Sequence, residues 1–183
     1  MGVEPDRPLT EEHWSYMDRF ADRMTARGPT LAGDRETWTG SLHIVDLPGD
    51  DAAREFVERE PFNRAGLFEG HVIRRFENLL GRTMWEFPGD SVDPRFLVLA
   101  HLHAEEGDRA WAVSRAGFTA LPRECLIVHG ELSTLDESAP AGVVLALQAP
   151  TLGAVEAILG KGPASLGEGV DVEIHDWEFG GRR

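Results

Sequence analysis

His13 is the residue of this chain best placed to move a proton. It begins the inward stripe of an amphipathic helix, and imidazole is the side chain that titrates near neutral pH. A carboxylate on its far nitrogen would fix the tautomer, and Glu60 is the candidate. Read without function, His13 is a satisfied core or helix-start histidine and Glu60 a solvated loop charge. Ser41, after a glycine at the start of a strand, can place a hydroxyl at the mouth of the same cleft or be a plain strand-edge serine. No G-x-S-x-G elbow marks it as a nucleophile. Arg27, Arg64 and Arg82 offer forked cations for a carboxylate or phenolate substrate, or pair with the plentiful surface acids. His101 and His103 put two imidazoles on one face of a strand with Glu105 and Glu106 near, but a third histidine or cysteine at metal-ligand spacing is lacking. No metal and no cofactor is expected, for there is also no Gly-rich phosphate loop.

The elements that must hold these residues repeat. A shift of 102 positions lays Arg27-Gly28 on His129-Gly130, Gly40 on Gly142, Pro48 on Pro150, Ala52 on Ala154 and Pro61 on Pro163. Two tandem copies of one small domain are expected, at residues 1–88 and 94–183, joined through Pro88–Pro94. In the first copy a helix capped by Thr10 runs to Gly28-Pro29, a strand covers Thr39–Leu47, a helix follows Pro48-Gly49-Asp50, and His71–Phe76 is a strand. In the second, Arg95–Leu102, Arg123–His129, Gly142–Ala149 and Val170–Trp177 read as strands, and Asp108–Phe118 and Leu152–Leu159 as helices. That order is the ferredoxin-like β-α-β-β-α-β unit, so the fold class is α+β, with two lobes packed sheet to sheet as a pseudo-dimeric barrel. The five tryptophans suit packing between such lobes.

The first copy lacks its first strand. Met1–Arg7 holds two acids and a proline and cannot be a central strand, so either the true start lies upstream, which is the preferred reading, or the slot is empty or filled by Arg95–Leu102. At the same offset His13 becomes Arg115, Ser41 becomes Val143 and Glu60 becomes Gly162, which predicts one active lobe and one structural lobe.

His13-Trp14-Ser15-Tyr16-Met17, Arg27-Gly28-Pro29, Thr39-Gly40-Ser41 and Glu60-Pro61-Phe62 with Ala65-Gly66 resemble the YciI-like (YCII-related) proteins of the dimeric α+β barrel superfamily, over roughly Thr10–Phe87 and more weakly in the second copy. The resemblance implies a His/Asp active site and, from a related dehydrochlorinase, acid–base chemistry on a hydroxylated aromatic ring. His13 takes the histidine place; where the family has aspartate before Pro-Phe, this chain has Glu60, one methylene longer. The expected activity is cofactor-independent elimination or isomerisation of a small cyclic or phenolic compound. The alternative is a non-catalytic module that binds a small ligand or a partner.

A net charge of −14 comprises 18 acidic against 11 basic residues up to Asp90 and 14 against 7 after it, so each half carries −7. Such a surface repels phosphates, which argues against nucleic-acid and anionic-membrane partners. The single cysteine, Cys125, cannot form an internal disulfide, and no apolar run reaches the length of a membrane span. A small-molecule ligand, a cytoplasmic setting, and a monomeric pseudo-dimer or weak homo-oligomer are expected.

Overall fold

The computed structural model describes residues 5–89, 92–102, 121–137, 139–159 and 169–181. It is a mixed helix and strand fold of class α+β, with antiparallel strands. Two compact units divide it: Met1–Ile73 with Glu178–Arg183, and Arg74–Trp177. Division by repeat, at 1–88 and 94–183, and division by compactness therefore differ, because the end of each half pairs outside its own repeat. No helix among the described residues is long and apolar enough to cross a membrane.

In the first unit α1 (Arg7–Asp18) starts at Asp6, whose carboxylate accepts the Leu9 N–H at 2.9 Å, with Pro8 in the first turn. Thr10, expected as the cap, lies inside the helix and donates to the Asp6 carbonyl. The helix is also shorter than its apolar spacing implies. It stops at Asp18, a 3-10 turn covers Ala21–Arg23, and Met24–Leu31 is strand β1. Gly28-Pro29 therefore does not end a helix but sits in mid-strand. The reason is close backbone approach: the Glu178 N–H donates to the Pro29 carbonyl and the Gly180 N–H to that of Arg27, and a Cβ on Gly28 would lie 1.8 Å from the Glu178 carbonyl oxygen. Strand β2 (Trp38–Val45) pairs antiparallel with β1. Helix α2 (Asp50–Arg59) carries Asp50 and Asp51 in its first turn, where they complement the dipole, and the short α3 (Pro61–Arg64) follows. Tyr16 of α1 and Phe20, just beyond its end, set their rings against Phe56 of α2, with the Tyr16 hydroxyl donating to the Phe56 carbonyl at 2.9 Å.

The second unit is a five-stranded antiparallel sheet. Its strands are β3 (Arg75–Asn78), β4 (Arg95–Leu102), β5 (Leu126–Ser133), β6 (Pro140–Gln148) and β7 (Val170–Trp177), in the order β7-β4-β6-β5-β3. Helix α4 (Leu152–Ile158) is capped by Thr151. The core gathers Phe96, Val98, Val143, Leu145, Leu147 and Val155, and β6 is buried on both faces, which suits its run AGVVLAL. The strand expected at His71–Phe76 is instead Arg75–Asn78 and pairs with β5. Arg95–Leu102 does not complete the first copy; it pairs with β6 and β7. The expected helix Asp108–Phe118 lies outside the described residues.

The 102-residue offset recurs in the folded chain. β1 and β5 begin at 24 and 126, β2 and β6 at 38 and 140, α2 and α4 at 50 and 152. The register repeats with its irregularities: Met24↔Val45, Ala26↔Ile44, Thr30↔Gly40 and Leu31↔Trp38 become Leu126↔Leu147, Val128↔Ala146, Leu132↔Gly142 and Ser133↔Pro140. Gly142 shows why a glycine is needed at that place. Its φ is +139°, and a Cβ would lie 1.8 Å from the Ala100 carbonyl oxygen on the neighbouring β4. Gly142→Val should therefore cost at least about 2 kcal/mol in urea unfolding; an unchanged midpoint would mean that β4 does not approach this closely.

Candidate functional site

Helix α1 and the turn before α3 bring His13 and Glu60 together across 47 positions of sequence. His13 Nδ1 lies 2.6 Å from Glu60 Oε1. Glu60 is the N-cap of α3 and is only 4% exposed; its Oε1 accepts the Phe62 N–H at 3.0 Å and its Oε2 the Asn63 N–H at 2.7 Å. Burial pushes the carboxyl pKa up, but the hydrogen bonds from His13, Phe62 and Asn63 together outweigh it and leave the group below its usual value. Glu60 is thus an anion that only accepts, so Nδ1 of His13 carries the donated proton and Nε2 is the nitrogen left to take one. Glu60→Ala would strip acceptors from both the cap and the imidazole and should cost about 2 kcal/mol in thermal or urea unfolding.

The rest of the site holds the imidazole in place. The Phe62 ring stacks on it at 4.0 Å and 4°, and Trp38 sets its ring edgewise to both Phe62, at 5.0 Å, and Phe68, at 5.6 Å. From β2 the His43 ring approaches His13 at 5.9 Å and 61°. Strand alternation places Ser41 and His43 on one face, and cross-strand pairing puts Arg27 opposite His43 and Pro29 opposite Ser41. Desolvation of the His43 imidazole, with charge on His13 and the Arg27 cation acting in the same direction against Glu60, lowers its pKa to about 4. His43 is therefore a neutral imidazole at pH 7.

The sequence candidates are distributed unequally over this arrangement. His13 and Glu60 meet directly. Arg27 is 5% exposed, 3.6 Å from Asp18, and its Nε donates to the Gly180 carbonyl. Ser41 donates weakly to the Gly28 carbonyl at 3.3 Å. Arg64 is exposed and faces Glu12 at 3.9 Å, a surface pair of little energetic weight. Arg82, in the second unit, donates to the carbonyls of Leu126 and Arg123. His43 was not among the sequence candidates. A signal for it existed: at the 102-residue offset its place is taken by Leu145, which is wholly buried, so a polar residue stands at a core position.

In the second half Val143 and Leu145 fill the places of Ser41 and His43 and belong to the core. Arg115 and Gly162 lie outside the described residues. His101 Nε2 is 3.5 Å from Glu173 Oε1 and His175 Nε2 is 3.0 Å from Glu173 Oε2, while His103, Glu105 and Glu106 lie outside the described residues. Among the described residues no group of three or more histidine, cysteine, aspartate or glutamate side chains is placed to hold a metal ion.

Residues 2–77 match the family model of the YCII-related domain, a span beginning somewhat before and ending somewhat before the Thr10–Phe87 that carries the sequence resemblance. Comparison with curated proteins and with solved structures returned no match.

Proposed function

We propose, from the premise that residues 2–77 are a YCII-related domain, that this chain is an acid–base enzyme whose His13 Nε2 takes a proton from, or returns one to, a small cyclic or phenolic compound. The carrying observation is the 2.6 Å contact of Nδ1 with a buried, ionised Glu60, which fixes the tautomer and steadies the imidazolium formed when Nε2 is protonated. His43, neutral and on the adjacent strand, supplies a second imidazole within the same group, and Arg27 a cation behind it. Loss of a proton from the compound to Nε2, followed by departure of a leaving group or return of the proton elsewhere on the ring, gives elimination or isomerisation with no further reagent.

One observation favours a second reading, a module that binds a small ligand or a partner without turning it over. Both oxygens of Glu60 are already engaged in capping α3, a structural task sufficient to account for a carboxylate there. Solvent deuterium exchange separates the two. Small cyclic and phenolic compounds, chlorinated hydroxylated rings among them, are incubated with the chain in D2O and followed by proton NMR. Exchange or elimination that requires His13 supports the enzyme. Ligand-induced shifts of His13 and His43 resonances with no exchange in any compound would leave the binding module.

A further inference from the structure

The edge of β2 turned away from β1 ends its sheet, and among the described residues no strand pairs with it. Natural sheet edges are usually blunted by charge or proline. The eight residues of β2, WTGSLHIV, contain no acid, no lysine or arginine, and no proline. Its offset counterpart β6 has the same edge covered by β4, and the correspondence holds bond by bond: the Asp46 N–H donates to the Arg23 carbonyl at 2.8 Å, as the Gln148 N–H does to that of Cys125 at 2.9 Å. Gly142 gives β4 room, since a Cβ there would strike the Ala100 carbonyl oxygen. Gly40 stands at the corresponding place in β2, where a Cβ would meet only the Thr30 hydroxyl, at 3.0 Å. A glycine thus stands at this place although, among the described residues, no strand lies on that edge of β2.

We infer that this edge of β2, unpaired among the described residues, is a docking site for an apolar β-strand of another polypeptide, about eight residues long, antiparallel to β2 and basic at its amino end. The register of β4 on β6 specifies that chemistry. It sets Arg95 opposite Gln148, and the residue at that place beside β2 is the exposed Asp46. It sets Phe96, Val98 and Ala100 opposite Leu147, Leu145 and Val143, whose places in β2 are Val45, His43 and Ser41. The added strand therefore lays small and apolar side chains beside the His43 face and satisfies a row of edge amides. A second copy of the chain is the less suitable occupant, because two β2 strands would bring together two chains of −14 and set no cation against Asp46. The inference concerns the edge and does not depend on catalysis at His13.

The probe is a synthetic peptide with the sequence of Arg95–Leu102, added to the whole chain. Hydrogen exchange should show 1:1 protection of amides in Trp38–Val45. Gly40→Val should weaken binding at least ~10-fold through the new side chain, and its urea midpoint should fall somewhat, because a Cβ there lies 3.0 Å from a Thr30 hydroxyl that Thr39 also holds. Asp46→Lys, which does not touch the packing, should weaken it and favour a peptide whose first residue is glutamate. Absence of β2 protection would overturn the inference, as would equal binding of a scrambled peptide. So would sedimentation showing a dimer whose β2 amides are already protected, which would make the occupant a second copy.

Discussion

In the proposed reaction His13→Gln should lower proton exchange into the compound by roughly 10²- to 10⁴-fold, the range of a lost general acid or base, while the urea midpoint stays close to that of the parent. Glutamine can keep a donor toward Glu60 but offers no nitrogen that trades a proton near pH 7. Glu60→Asp tests the other half of the pair. Aspartate caps helices well, so α3 and its Phe62 and Asn63 N–H groups keep an acceptor. The carboxylate withdraws by about one carbon–carbon bond from His13, and since the present contact is 2.6 Å the loss should appear in kcat rather than in stability. If Glu60→Asp matched the parent in rate, the pair would be a structural contact; if His13→Gln kept full exchange, the proton would be moving elsewhere.

The meeting of His13 and Glu60 was legible through the family resemblance, which implies a carboxylate before Pro-Phe as the partner of the first helix's histidine. His13 lies on the inward stripe of a periodic segment, and Glu60 precedes Pro-Phe at a helix start. What lay beyond reach was the end of the first helix. His13, Met17, Phe20 and Met24 keep a helical spacing that continues into what is in fact β1, and Gly28-Pro29 reads as punctuation when the chain is viewed locally. Its true cause is the backbone of residues 178–180, about 150 positions away, pressed against Gly28. The same nonlocality displaced His71–Phe76: β3 forms where Glu77 and Asn78 find Glu131 and Gly130 on β5, a partner that local pattern cannot name. The offset of 102, by contrast, rests on turns and core positions fixed within each half, and the strand registers repeat it, irregularities included. His43 escaped notice for a different reason. A lone histidine in TGSLHIV looks like strand filling until its counterpart Leu145 is seen to be a fully buried core residue.

That exchange of leucine for histidine carries the largest stability effect. The imidazole of His43 has a folded pKa of about 4 against an ordinary 6.5, because desolvation and the nearby His13 and Arg27 disfavour its cation more than Glu60 favours it. Below pH 6.5 the unfolded chain takes up a proton that the folded chain refuses, so the unfolded state binds more protons and stability falls as pH falls. The loss accumulates until the folded imidazole also protonates near pH 4, and over that interval it amounts to about 3 kcal/mol. Glu60 adds to the decline at the lower end: its folded pKa is depressed, so its contribution is present above the ordinary glutamate range and is lost as pH drops through the folded value. Urea midpoints measured from pH 7 to pH 4 should therefore slope steeply in the parent. His43→Leu, which installs the residue that the other half uses at this place, should flatten the part of the slope between pH 6.5 and 4 and leave the Glu60 part below it. A parent whose midpoint holds constant from pH 7 to 4.5, or a His43→Leu chain with the same slope, would show that His43 is solvated in the folded state, and the neutral second imidazole beside His13 would go with it.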